Sequence, residues 1–254
     1  MGKELIMTPI FTFLGIGIFA QSMKKANIYF KSGRFMEAKN IHAQIVEMQP
    51  GNLKSLIYLG CISLMQNKLD EAESWLLKAS KIKFNDSYVN EFLAETYYRK
   101  NDFPKAAPYF RAIGRKGMTL KLESFMGIKP YQTDELFDEV LIKFIVTNPL
   151  PFIKVKINGE FEGNFMLDTG GGELILDEEF AGETGAELFE KRESSNFGGG
   201  KKMDISHGKI SSIQLNNLTV KNIPINILAL RHIELAGMKI DGVIGTIFLS
   251  QFLS

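Results

Sequence analysis

The most distinctive chemistry in the sequence lies at the end of an apolar run, where residues 165–167 are followed by Asp168, Thr169 and Gly170. A carboxylate at the end of an apolar strand is unusual, because strands are depleted in Asp and an unpaired buried charge is costly. Gly170 can adopt backbone angles that other residues avoid, and it leaves room beside the carboxylate. A carboxylate positioned in this way could act as a general acid or base. The alternative is a tight turn in which Asp168 caps its own backbone.

Three further features favour a reactive site over a simple turn. The dipeptide Asn158-Gly159 predicts a hairpin whose second strand leads into Asp168. A glycine-rich tip follows downstream and consists of Phe197, Gly198, Gly199, Gly200 and Lys201. Later still, two apolar residues and a glycine precede a short apolar helix predicted over 246–253, and these three residues are Val243, Ile244 and Gly245.

This ordered set resembles the retropepsin-like aspartic proteases, the single-lobe relatives of pepsin, over residues 150–254. The resemblance implies a peptide or protein substrate and makes Asp168 the catalytic aspartate. It also implies that the Thr169 hydroxyl braces paired active-site loops and that Gly170 is the turn glycine of the motif. No cofactor and no metal are expected for such an enzyme.

The resemblance assigns the two downstream segments as well. The tip at 197–201 would be a flap that closes over substrate, and the element at 243–245 would pack beneath the catalytic loop. The family normally continues with a further strand after the short helix, whereas this sequence stops at Ser254. We therefore expect either that the sequence is a fragment, which we favour, or that a dimer forms through another surface.

The mechanism implied by the resemblance needs two carboxylates. Two neighbouring aspartates cannot both ionise comfortably, so they share one proton. The sequence contains one Asp-Thr-Gly, and its other acidic candidates are interpreted as surface or turn residues, namely Asp177, Asp204 and Asp241. The second aspartate is therefore expected from Asp168 of another copy in a symmetric homodimer, with a missing second lobe as the alternative.

Composition excludes several other classes of protein. The net charge of +1 gives no reason to expect a nucleic-acid partner. A single cysteine, Cys61, excludes an internal disulfide framework and a Cys-rich zinc site. The three histidines are too scattered in the sequence to predict a metal cluster.

The strands that must position the site are predicted from alternating apolar residues. Alternation over 140–146 predicts a first strand within a connector at 117–149, whose remainder we interpret as a capping helix and a linker. Alternation also predicts the strands on both sides of Asn158-Gly159 and later strands at 203–215 and 218–230. The protease-like region is therefore expected to be a compact all-β lobe.

Residues 22–116 repeat with a period of 34, as Ala38, Ala72 and Ala106 illustrate. Small residues at fixed positions let two helices approach closely, so the segment predicts three helical hairpins stacked as an α-solenoid. The pattern resembles tetratricopeptide repeats. Such arrays bind peptides or partner proteins, and a packing platform for the next domain is the alternative.

The N-terminal segment 1–20 is typical of a signal peptide. Lys3 precedes an uncharged, mostly apolar run, and cleavage is expected after Ala20. The protein is therefore expected to be exported, to the periplasm, the cell surface or the medium. An uncleaved membrane anchor and a buried helix are the alternatives.

The sequence thus predicts a repeat solenoid followed by an all-β retropepsin-like lobe. The function expected from it is that of an exported aspartic endopeptidase, whose repeats recruit protein substrates or partners. The alternative is a non-catalytic repeat scaffold that carries an inactive protease-like domain.

Overall fold

A computed structural model describes residues 10–133, 139–197 and 201–252. The chain divides into two compact units, Met1–Lys100 and Asn101–Ser254. The boundary lies inside the segment 22–116 that the sequence assigns to repeats, so the last repeat helix belongs to the second unit.

The first unit is helical. Its helices are α1 (Ile10–Lys31), α2 (Phe35–Met48), α3 (Leu53–Met65), α4 (Leu69–Ile82) and α5 (Ser87–Arg99). Consecutive helices pack against each other. The turns within the three hairpins place Gly33, Asn67 and Asn101 in the left-handed region, with φ of 76°, 55° and 58°, and these residues keep the 34-residue spacing.

Small residues allow the repeat helices to approach closely. Ala38 and Ala72 have no exposed surface. A Cβ atom on Gly60 would lie 2.5 Å from Cγ of Leu76, so a larger residue there would force Leu76 of α4 to shift. The packing confirms the repeat interpretation for this unit.

The predicted signal segment lies mostly outside the described side chains. Residues 1–9 lie outside the described part of the chain, and α1 continues through the predicted cleavage point after Ala20. Within the described ranges, every helix is too short or too polar to cross a bilayer. Cleavage and export stay predictions.

The second unit begins with α6 (Phe103–Ala112) and α7 (Lys116–Glu123), which pack together. Phe103 stacks edge-on against Phe125 just beyond α7, at 5.2 Å between ring centres. One side of α7 contacts the two strands Glu187–Phe197 and Lys201–Leu215.

The described strands and two short helices follow in chain order. They are β1 (Gln132–Thr133), β2 (Phe144–Val146), β3 (Phe152–Ile157), β4 (Phe161–Leu167), β5 (Leu174–Asp177), α8 (Glu178–Glu183), β6 (Glu187–Phe197), β7 (Lys201–Leu215), β8 (Leu218–Leu228), β9 (Glu234–Leu235), β10 (Met238–Lys239), β11 (Gly242–Ile244) and α9 (Thr246–Leu249). The first strand expected over 140–146 is shorter than predicted, because residues 139–143 form no ladder pairs.

Among the described residues, one sheet runs in the order β1-β8-β5-β11-β4-β3-β7-β6, with β2 added to β3. The sheet closes on itself because β7 pairs with both β3 and β8. Strands β9 and β10 form a separate small ribbon. Alternate residues of β3 fill the interior of the closed sheet, namely Ile153, Val155 and Ile157. Val220 and Ile223 of β8 join them, three positions apart because Asn222, with a φ of 58°, interrupts the alternation.

The predicted turns form where the sequence places them. Asn158 and Gly159 join β3 to β4 with φ of 51° and 80°, and Asn216 joins β7 to β8 with φ of 53°. In the predicted flap, β6 and β7 pair antiparallel as far as Phe197 opposite Lys201. The tip residues Gly198, Gly199 and Gly200 lie outside the described residues.

Candidate active site

Asp168 follows directly from β4 into a tight turn. Its N–H donates to the carbonyl of Ile244 at 3.1 Å, and its carbonyl accepts from Gly171 N–H at 3.1 Å. One carboxylate oxygen, Oδ1, accepts from Gly170 N–H at 2.8 Å. The Asp168 side chain is half-buried, whereas Thr169 and Gly170 are exposed. The turn therefore holds a carboxylate at the surface with a fixed orientation.

Strand β11 lies between β4 and β5 and supports the turn from below. It runs parallel to β4, with Ile244 opposite Leu167, and antiparallel to β5, with Ile244 opposite Leu174. Val243 is 4% exposed and Ile244 is fully buried. The predicted apolar element thus lies against the last residues before Asp168.

The start of α9 binds the far side of the loop. Thr246 N–H donates to Gly171 O at 2.8 Å, and Ile247 N–H donates to Gly172 O at 2.8 Å. Gly245 N–H donates to Glu173 O at 3.1 Å. Free N–H groups at the first turn of a helix need acceptors, so the carbonyls of this loop satisfy them and are fixed in return.

Gly245 is required by close packing of the backbone. A Cβ atom there would lie 2.6 Å from both Glu173 O and Gly172 O, and main-chain atoms cannot move aside as a flexible side chain can. The structure therefore brings Asp168, Thr169 and Gly170 together with the 243–245 element. It does not describe the tip of the flap.

Arg231 organises a second charged cluster that the sequence did not reveal. Its Nε lies 2.9 Å from Oδ1 of Asp241 and 3.6 Å from Oδ1 of Asp177. Its other nitrogens bind Glu183. These bonds help to hold the guanidinium in its charged form, so the pKa of Arg231 is raised, chiefly by Glu183.

The interpretation of Asp177 and Asp241 as surface or turn residues was wrong in one respect, since they are only 2% and 8% exposed. Asp177 does start a helix, because Oδ1 accepts from Glu179 and Phe180 N–H at the beginning of α8. Asp241 bonds the Asn164 backbone in both directions, which ties β11 to β4. Asp204 is exposed, as expected.

Opposing effects act on the pKa of Asp177. Burial would raise it, but four backbone N–H donors, among them Leu230 and Arg231, together hold the pKa below its ordinary value. Asp177 therefore stays ionised as a structural anion. Asp is a favoured residue at a helix start, which is a local signal, whereas Arg231 carries none.

The described residues contain no cluster of three His, Cys, Asp or Glu side chains that could hold a metal ion. Arginine and backbone N–H groups satisfy Asp177 and Asp241 instead. The chemistry that the site offers is that of a carboxylate beside a glycine turn.

Two family models agree with this architecture. The model of an aspartyl protease family matches residues 153–248, and that of a tetratricopeptide repeat family matches residues 29–96. A retropepsin-like aspartic protease from Rickettsia conorii is similar at 20% identity and a TM-score of 0.33, over 49% of this chain and 86% of that one. The repeat domain of Arabidopsis OM64 is similar at 16% identity and a TM-score of 0.40, over 42% and 96%. No curated protein matches.

Fold and site thus agree with an aspartyl protease domain over residues 153–248. This segment follows the tetratricopeptide repeat match at 29–96, in the order that the sequence predicted.

Proposed function

We propose that this protein is an exported aspartic endopeptidase, with Asp168 as its catalytic carboxylate. One observation carries the proposal. Asp168 stands half-exposed at the end of β4, its backbone is bound by Ile244, and its Oδ1 is oriented by Gly170 N–H. A merely structural Asp in this fold looks different, since Asp177 is buried and saturated with donors.

A second carboxylate is needed, and we assign it to Asp168 of a second copy. Asp177 and Asp241 are already bound to Arg231 and to backbone N–H groups. A two-fold axis beside the exposed Thr169 would bring two copies of the turn together. The two aspartates would then share one proton, since like charges at contact distance disfavour double ionisation.

The reaction would be direct attack of water on a peptide carbonyl. The ionised aspartate accepts a proton from the water while the water oxygen bonds to the carbonyl carbon. The protonated aspartate donates its proton to the carbonyl oxygen. Collapse of the tetrahedral intermediate breaks the C–N bond. The aspartate that took the water proton donates it to the leaving amine, and the other aspartate accepts a proton from a hydroxyl of the intermediate, which restores the pair.

The repeats would recruit the protein substrate or a partner. Tetratricopeptide arrays present a continuous surface built from stacked hairpins, a geometry suited to extended peptides. Export would place this activity outside the cytoplasm. N-terminal sequencing of the protein recovered from envelope and medium fractions tests cleavage after Ala20.

The deciding experiment incubates the purified chain with a mixed peptide library between about pH 4 and pH 7, because the proposed reaction needs one ionised and one protonated aspartate. An Asp168→Asn variant and a Glu160→Gln variant, which removes an exposed carboxylate from the turn between β3 and β4, are assayed in parallel. Sedimentation gives the mass in solution. Cleavage by a dimer that disappears only in Asp168→Asn supports the proposal. A folded wild-type chain that cleaves nothing contradicts it and favours a repeat scaffold with an inactive lobe.

A further inference from the structure

Lys121 is a fully buried lysine on α7, a helix that lies before the matched protease segment 153–248. Its ammonium donates to Oδ1 of Asn226 at 3.0 Å and lies 3.7 Å from Oε2 of Glu173. Lysine is almost never fully buried unless it is paired. The side chain therefore links α7 to β8 and to the loop residue that precedes β5.

Asn226 lies in the middle of the sheet, paired with Ile175 on β5 and with His207 on β7. An ammonium can only donate, so Oδ1 of Asn226 is the acceptor of the Lys121 hydrogen bond. Nδ1 of His207 lies 2.9 Å from the same oxygen and then acts as a second donor. The Lys121 ammonium is thus bound to β8 at a residue that lies between β5 and β7 in the sheet.

Glu173 is the residue at which the loop beginning with Asp168 enters β5. Its side chain is 20% exposed and faces Lys121, while its carbonyl accepts from Gly245 N–H. The loop is therefore bound at its main chain by the β11–α9 junction. It is bound at its Glu173 side chain by α7.

We propose that Lys121 is a positioning residue for the candidate active site, acting through Glu173 on the loop that carries Asp168. The proposal rests on the proposed function for its consequence in catalysis. The proposal also means that α7 contributes to the function of the protease lobe, although α7 lies outside the matched protease segment 153–248. A buried ion pair contributes little net stability compared with apolar packing, so a defined loop geometry is the better reason for burying this lysine.

The first experiment measures kcat and KM of the full chain on the peptide that is cleaved fastest in the library. Lys121→Met and Glu173→Gln should each lower kcat about tenfold or more with KM changed less than about threefold, because small misplacement of a reacting group is costly. Lys121→Arg should restore part of kcat, and the Lys121→Met, Glu173→Gln double variant should be no slower than either single one.

Ile213→Val is the matched control, since Ile213 is a buried core residue at the other end of β7, opposite Ile157. It should lower stability and leave kcat unchanged at temperatures where the chain is folded. If Lys121→Met and Glu173→Gln behave like Ile213→Val, Lys121 has a structural role only and the proposal is overturned.

The second experiment needs no catalysis and separates this proposal from the proposed function. Amide hydrogen exchange is measured at Gly245, Thr246 and Ile247, whose N–H groups donate to the loop carbonyls. Exchange at these three amides should be about tenfold faster in Lys121→Met and in Glu173→Gln, while the β7–β8 ladder keeps its protection. Unchanged exchange at all three amides overturns the proposal, even if the wild-type chain is an active protease. Faster exchange supports it, even if the wild-type chain cleaves nothing.

Discussion

The N–H of Gly170 points at Oδ1 of Asp168, and the two atoms lie 2.8 Å apart. A side chain at position 170 would crowd the carboxylate, because a Cβ atom there would lie 3.1 Å from Oδ1. Gly171 is less crowded, with a Cβ atom falling 3.4 Å from Oδ2. A side chain would therefore disturb the Asp168 carboxylate more at Gly170 than at Gly171.

Gly170→Ala should lower peptide cleavage about tenfold, because the methyl group must displace the carboxylate by a few tenths of an ångström. The backbone at Gly170 lies outside the left-handed region, so stability should change by less than about 1 kcal/mol. Cleavage rates and urea unfolding of the two proteins check both parts.

Gly171→Ala is the matched control for that substitution. Its methyl group makes an ordinary contact, so cleavage should stay within about threefold of wild type. Equal losses in the two alanine variants would contradict a specific role for the space beside Oδ1.

A shared aspartate pair makes a quantitative prediction for mixed copies. If Asp168→Asn subunits exchange with wild type, an equal mixture should retain about one quarter of the activity of the same total amount of wild-type chain, because mixed dimers lack one of the two carboxylates. Cleavage rate is plotted against the wild-type fraction after prolonged co-incubation.

Glu160→Gln subunits provide the control in the mixing experiment, because Glu160 is exposed and lies at the opposite end of β4 from Asp168. Activity should be the same at every mixing ratio. A linear fall with Asp168→Asn, leaving half of the activity at equal mixing, would mean that each copy acts alone and would contradict the dimeric site.

Arg231→Met should destabilise the second unit by about 2–3 kcal/mol, because it leaves Asp177 and Asp241 buried without their cation. The loss is smaller than for a fully buried pair, since the Arg231 side chain is 20% exposed. Thermal and urea unfolding followed by circular dichroism measure the change. A loss below about 0.5 kcal/mol would contradict a supporting role for this cluster.

The repeat array and the hairpins were predictable because their signals are local. Helices that cross closely need small residues at a fixed spacing, and Ala38 and Ala72 are buried without exposed surface as that spacing requires. Asn158-Gly159 predicts its own turn because both residues tolerate positive φ. The Asp-Thr-Gly signal likewise depends on adjacent residues.

The charged groups behind the site were not predictable, because long-range contacts bring them together. Lys121 and Glu173 are 52 residues apart, and neither has a sequence neighbour that distinguishes it from an exposed charge. Asp241 was interpreted as a surface or turn residue, because no sequence pattern around it indicates a contact with Arg231. A parallel pairing such as that of β11 with β4 also leaves no local pattern.

His42 gives the repeat unit a predictable acid sensitivity. The ring is fully buried between α2 and α3, stacks on Tyr58 with ring centres 4.6 Å apart, and places Nδ1 3.1 Å from Ser55 Oγ. Its Nε2 is buried with no hydrogen-bond partner among the described residues. Burial first, and then the positive charge of Lys54, lower the pKa of His42 from 6.5 to about 4.

The sign follows from proton binding. Between pH 6.5 and about 4 the unfolded chain binds a proton at His42 and the folded chain does not, so stability falls as the pH falls through this window. The free energy of unfolding of the repeat unit should decrease by about 2 kcal/mol between pH 7 and pH 5.

Trp75 is the single tryptophan and lies in α4, so urea unfolding followed by its fluorescence reports this unit. His42→Phe should lose much less stability over the same range, whereas His232→Gln, which alters an exposed histidine of the second unit, should behave as wild type. Equal losses in His42→Phe and wild type would mean that other groups cause the acid sensitivity.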